Sequence, residues 1–220
     1  MAPRYNLDKQ LKEIQQDILR LGSLVEQALY DSVQALITLD VAAAGQVIMK
    51  DELIDQLCLE IEEKCVRVIA TQQPMAGDLR MAVTGIKIII SLERMGDHCV
   101  DISRATMCLS GGGGLTAHPV EYIPEMADIV QQMVKEGLDA YVSRNVEKAK
   151  AMCAMDDLVD FIYNRIFREL IGCVKEHPAN SYQMAYLLYV NRYIERIADH
   201  ATNIGEAVIY LVTGERRELN

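Results

Sequence analysis

The chain has 220 residues, half of them apolar, which is enough for a sizeable core, and too few Gly and Pro for a fibrous chain. Its 32 Asp and Glu against 22 Lys and Arg leave a formal charge of −10, which excludes the basic footprint of a nucleic-acid-binding surface and repels an anionic membrane. The longest apolar stretch, GIKIIISL, is too short to span a bilayer and carries Lys87, and no signal-peptide layout is present, so a soluble cytoplasmic protein without membrane insertion is expected.

Apolar residues recur at spacings of three and four through roughly Leu7 to Leu39, Ala42 to Thr71 and Asp78 to Leu109, which predicts three long helices with a proline turn, QQPMAG, before the third. The run GGGGLTAHP opposes both helix and strand and reads as a linker over 111–119. Beyond it the spacing predicts helices over Tyr122 to Val142, Val146 to Lys175 and Asn180 to Val212, with EHPANS as the second proline turn and Gly214 as a stop. The six cysteines contain no C-x-x-C pair, and most sit at apolar periodic positions, where a reduced thiol packs as a small hydrophobe.

The two halves therefore repeat one plan. ERMGDH at Glu93 returns as ERIADH at Glu195, 102 positions later, and KDELID at Lys50 lies opposite MDDLVD at Met155. The expected fold is all-α, six helices in two repeated three-helix bundles, the first over 1–110 and the second over 120–220.

The repeat carries acids. Side chains four apart share a helix face, so Glu93, Asp97 and Asp101 form one stripe, in line with Leu79, Val83, Ile86, Ile90 and Val100, and Glu195, Asp199 and Asn203 form its counterpart. The preceding helices supply Asp51 with Asp55 and Asp156 with Asp160, at equal distances from the two proline turns. Antiparallel helices joined by a short turn bring such positions level, so four carboxylates are expected to meet, twice. At about 6 to 7 Å and an effective dielectric near 20, each pair of charges repels by roughly 2 to 3 kcal/mol. Protonation, exposure to water or bound cations must relieve this. Oxygen-only ligands suit hard ions such as Mg²⁺, Mn²⁺, Ca²⁺ or ferric iron. One Glu-x-x-x-Asp alone is usually a solvated face, but four level copies favour the ion. His98 and His200 point off the stripe and read as surface or interhelix residues, and Arg94 and Arg196 read as ordinary ion-pair partners.

The stretches CVRVIATQQPMAGDLR, LERMGDH and IERIADHATNIGE, on top of the duplicated layout, identify the chain as resembling the PhoU family of phosphate-transport regulatory proteins. The resemblance implies a pair of three-helix bundles whose acidic motifs hold iron or zinc clusters in some members, which would put metal at Asp51, Asp55, Glu93, Asp97, Asp156, Asp160, Glu195 and Asp199. Asp101 and Asn203 are expected at the same metal sites, and Asn203 in place of Asp101 implies one charge fewer in the second site. It further implies a cytoplasmic, non-catalytic negative regulator linking the ATPase subunit of the phosphate ABC transporter to a sensor histidine kinase. Two other readings are a carboxylate-bridged di-metal oxidase of ferritin-like type, for which no Glu-x-x-His pair is present, and a metal-free helical scaffold. Apolar positions away from the stripe, such as Met81, Ile88 and Met95, suit a homodimer contact.

Overall fold

A computed structural model describes residues 3–111 and 121–216; the linker expected over 111–119 lies outside this range apart from Gly111. Helix α1 (Pro3–Thr38) buries Leu7, Leu11, Ile14, Ile18, Leu21, Val25 and Leu29 on one stripe, the spacing a core-facing helix requires. Leu39 then turns the chain with φ of 51°, and the Asp40 carboxylate accepts hydrogen bonds from the backbone N–H of Ala42 and Ala43, both 2.9 Å, to start α2 (Val41–Gln72). Gln73 ends α2 in the left-handed region, and Pro74 separates it from α3 (Gly77–Ser110).

The second half repeats the plan with α4 (Tyr122–Ser143), the segments α5 (Val146–Cys153) and α6 (Asp156–Glu176), a 3₁₀ turn at Pro178–Asn180, and α7 (Ser181–Thr213). Asn145 caps α5 through Lys148 N–H at 3.0 Å. Gly214, with φ of 76°, closes α7 through a hydrogen bond from its N–H to the carbonyl of Tyr210. The Arg80 guanidinium sits beside this C-terminus, where a cation complements the helix dipole.

One rod differs from expectation. The helix expected over Val146 to Lys175 is interrupted at Ala154 and Met155, where Met155 N–H bonds the carbonyl of Met152 and Leu158 N–H that of Met155. Both residues keep right-handed dihedrals, ψ of −14° and −19°, so the rod tightens into a 3₁₀ turn and continues. Neither Pro nor Gly stands there to announce it.

The two bundles lie side by side, with α3 and α7 packed along their full length and α1 against α4. Lys87 lies against Tyr210, and His98 against His200, so α3 and α7 run antiparallel. A single continuous core spans both halves. This overturns one expectation: Met81, Ile88 and Met95 are buried within the chain, so the face expected for a homodimer contact is consumed internally. Among the described residues no helix is long and apolar enough to cross a membrane. All six cysteines are free thiols, and burial pushes Cys65 up to about 12 and Cys58 and Cys153 up to about 11.

Candidate functional site

The acid pairs are level, as the distances from the proline turns predict. Asp51 on α2 reaches α3 opposite Gly96, its Oδ1 3.1 Å from where a Cβ on that glycine would stand. Two turns on, the Cys58 thiol donates to the Ile89 carbonyl at 3.7 Å. In the second half Asn191 Nδ2 donates to the Tyr163 carbonyl at 3.0 Å, and Cys153 Sγ to that of Thr202 at 3.7 Å, which fixes α7 against α6 and α5 in the same manner.

In the first groove the carboxyl of Asp51 is pushed up to about 6 by burial and then by Asp55, Asp97 and Glu93, so each of the other three expected acids acts on it. Glu93 is raised by burial and then by Asp97, with Asp55 adding to it. In the second groove Glu195 is pushed up to about 7 by burial and then by Asp199, with Asp160 contributing, although Arg192 and Arg196 pull the other way. Asp199 is raised by burial and by Asp160 against the same two arginines. Asp156 stands at the N-terminus of α6, where its charge acts on the thiol of Cys153.

Asp101 and Asn203 face elsewhere. Asp101 pairs with Arg104 at 3.2 Å and acts on His98 and Tyr193, and Asn203 Nδ2 lies 3.5 Å from His200 Nδ1, both on the α3–α7 seam. The reason is helix arithmetic: each step of four residues drifts by about 40°, so two steps carry a side chain about 80° around from Glu93 or Glu195. The same drift corrects the expected alignment with the core. Val100 is buried, but Leu79 and Ile90 are exposed and Val83 and Ile86 half-buried, so the acids line the rim of the core, open to solvent on one side.

The donor set fits a hard cation in chemistry, because each groove gathers carboxylate oxygens from two adjacent helices, with Asp51, Glu93, Glu195 and Asp199 held above their usual pKa. In the present side-chain conformations arginines take several of those oxygens: Arg94 bonds Asp97 at 2.9 Å and Glu93 at 3.4 Å, and Arg192 bonds Glu195. Accordingly, no group of three His, Cys, Asp or Glu among the described residues converges to enclose an ion. Glu195 Oε2 is buried without a hydrogen-bond partner. Asp55 and Asp160 are exposed.

A PhoU domain matches residues 18–106 and again 123–208. A phosphate-specific transport system accessory protein PhoU homolog of Clostridium acetobutylicum is 43% identical over 97% of this chain and 97% of its own length. The chain belongs to the PhoU family. A homolog of the same name from Rhizobium meliloti is 40% identical over 94% of this chain and 87% of its own length. The crystal structure of PhoU from Pseudomonas aeruginosa superposes with a TM-score of 0.90 at 36% identity, covering 94% of this chain and 99% of that one. The phosphate transport system regulatory protein PhoU from Streptococcus pneumoniae gives the same TM-score at 31% identity, covering 97% and 100%.

Of the two roles expected for His98 and His200 in this PhoU-family chain, the structure shows the interhelix one, on a seam that the motif spacing did not place. His98 and His200 stack with ring centroids 5.8 Å apart, and Tyr193 stacks on His98 at 5.7 Å and on Tyr189 at 6.3 Å. Burial, and then Arg196, holds the His98 imidazole below its usual pKa, and neither of its ring nitrogens has a partner. His200 is pushed down to about 4 by burial, by His98 and by Arg196. The signal was present: the 102-residue offset puts the two histidines in equivalent places on α3 and α7.

Proposed function

We propose that the chain is a cytoplasmic accessory regulator of phosphate-specific transport that acts by binding, without catalysis. In this reading it represses phosphate-starvation genes by linking the ATPase subunit of the phosphate ABC transporter to a sensor histidine kinase. The two grooves hold metal ions, iron, zinc, Mg²⁺ or Mn²⁺, through Asp51, Asp55, Glu93 and Asp97 in one bundle and Asp156, Asp160, Glu195 and Asp199 in the other. The observation that carries the reading is the paired acid groove, written twice in one chain, whose raised carboxyl pKa values leave repulsion for a cation to relieve. The names of its relatives supply the phosphate-transport context.

The test is a deletion strain complemented with wild type or with Asp55→Asn, Asp97→Asn, Asp160→Asn and Asp199→Asn combined. Wild type restores repression of a phosphate-starvation reporter at high phosphate, and the purified chain retains the transporter ATPase on a column. A deletion that leaves the reporter unchanged, together with no ATPase retention, would overturn the regulatory reading. Equal metal content in the wild-type and quadruple-variant proteins, purified without chelator, would overturn the metal reading alone.

A further inference from the structure

The α3–α7 seam has two ends that the duplication makes equivalent, yet they differ. At one end Tyr193 fills the groove, stacked on His98 and Tyr189 and close enough to Asp101 and Arg104 to feel both charges. At the other, the offset puts Ser91 where Tyr193 stands, Lys87 where Tyr189 stands, Asn203 for Asp101, Glu206 for Arg104 and Tyr210 for Cys108. A hydroxymethyl group in place of a phenol leaves a hollow of about 530 Å³, within the usual range for small-molecule sites.

The lining gives the hollow a chemistry. Lys87 Nζ lies 5.0 Å from the centroid of the Tyr210 ring and Arg216 Cζ 5.9 Å from the same ring, so the two cations are at most about 11 Å apart. Both cations stand out in a chain whose net charge is −10. An ammonium and a planar guanidinium so placed suit a phosphoryl group. Ile90, 53% exposed, and the Tyr210 ring give a flat apolar wall. Ser91 and Asn203 offer donors and acceptors to a ring edge, and the Glu206 carboxylate in the same lining accepts from hydroxyl groups while disfavouring a bare polyanion.

We propose that this hollow binds an organic anion carrying a flat ring, of the nucleoside phosphate class. It stands apart from the acid grooves and does not depend on metal in them. Its test is calorimetric titration of the full chain with AMP, with inorganic phosphate as the control. AMP binds, Lys87→Ala weakens it at least about tenfold, and Ser91→Tyr, which supplies the ring that the other end carries, abolishes it. Circular dichroism checks that both variants fold; if Ser91→Tyr does not, Arg216→Ala takes its place and is expected to weaken AMP at least about fivefold. The proposal is overturned by no AMP binding at millimolar concentration, by AMP binding no tighter than phosphate, or by affinity unchanged in the folded variants.

Discussion

Cys153 on α5 rests directly on the backbone of α7 at Gly205, where a Cβ would stand 2.5 Å from its Sγ and 2.8 Å from the Cε of Met152. That approach seats α5 immediately before the turn that sends α6 off with Asp156 at its first position. Gly205→Ala forces a short, buried thiol to move. Overpacking of about 2 kcal/mol outweighs a helix-propensity gain of about 1 kcal/mol, so a net loss near 1 kcal/mol is expected in urea denaturation. Gly172→Ala is the matched control: its Cβ meets nothing within 4 Å in the interior of α6, and it is expected to gain about 0.5 to 1 kcal/mol. Equal effects at the two positions would show that contact with Cys153 costs nothing.

The Tyr141 ring is fully buried on α4 and its hydroxyl has no hydrogen-bond partner, which is why burial pushes its pKa far above the usual phenol range. Tyr141→Phe removes an unsatisfied polar atom without opening a cavity. A gain of about 1 kcal/mol is expected in the same denaturation assay, and a loss would show that the hydroxyl is satisfied in solution.

Much of this architecture is legible in the sequence because local rules decide it. Asp40 and Asn145 cap helices, Pro74 and Pro178 break them, and the spacing of Leu7, Leu11, Ile14 and Ile18 fixes the buried face of α1. The level of Asp51 with Gly96 follows from counting residues back from a turn. What the sequence hides is how the halves meet. Met81, Ile88 and Met95 read as a surplus face, yet the folded chain buries them, and the position of Asp101 depends on an angular drift that motif spacing conceals. The turn at Ala154 arises without any breaking residue, so no periodicity could report it.

Glu195 sets a pH dependence whose sign is fixed by the direction of its shift. Burial and Asp199 raise its carboxyl from 4.5 to about 7, so the folded chain holds that proton more tightly than the unfolded one. The resulting stability is present in full below about pH 4.5 and is lost as pH rises through about 7. Asp51, raised to about 6, acts in the same sense, whereas His200, lowered to about 4, adds stability as pH rises from there towards 6.5. The wild-type curve therefore mixes opposing contributions, and a variant is needed to separate them. Glu195→Gln keeps the shape of the protonated acid, so the metal-free variant should match wild type near pH 4 and exceed it at pH 8. Urea midpoints at pH 4, 6 and 8 measure the gap; one that stays constant across the range would rule out a titrating Glu195.

Cation binding to the acid grooves predicts the complementary effect. An ion that enters displaces the protons on Asp51 and Glu195 and relieves repulsion that the arginines offset only in part, so it stabilises the folded chain in proportion to the logarithm of its concentration. Manganese added to chelator-stripped protein is expected to raise Tm by several degrees at a hundredfold excess over Kd, corresponding to about 2.7 kcal/mol. The rise should be larger at pH 8 than at pH 5, where protons compete for Asp51 and Glu195. Asp55→Asn with Asp97→Asn removes two ligands from the first groove and leaves the second intact, so about half the metal per chain should remain by elemental analysis. A Tm that manganese leaves unmoved at pH 8 would mean that arginine pairing and solvent alone hold these carboxylates apart.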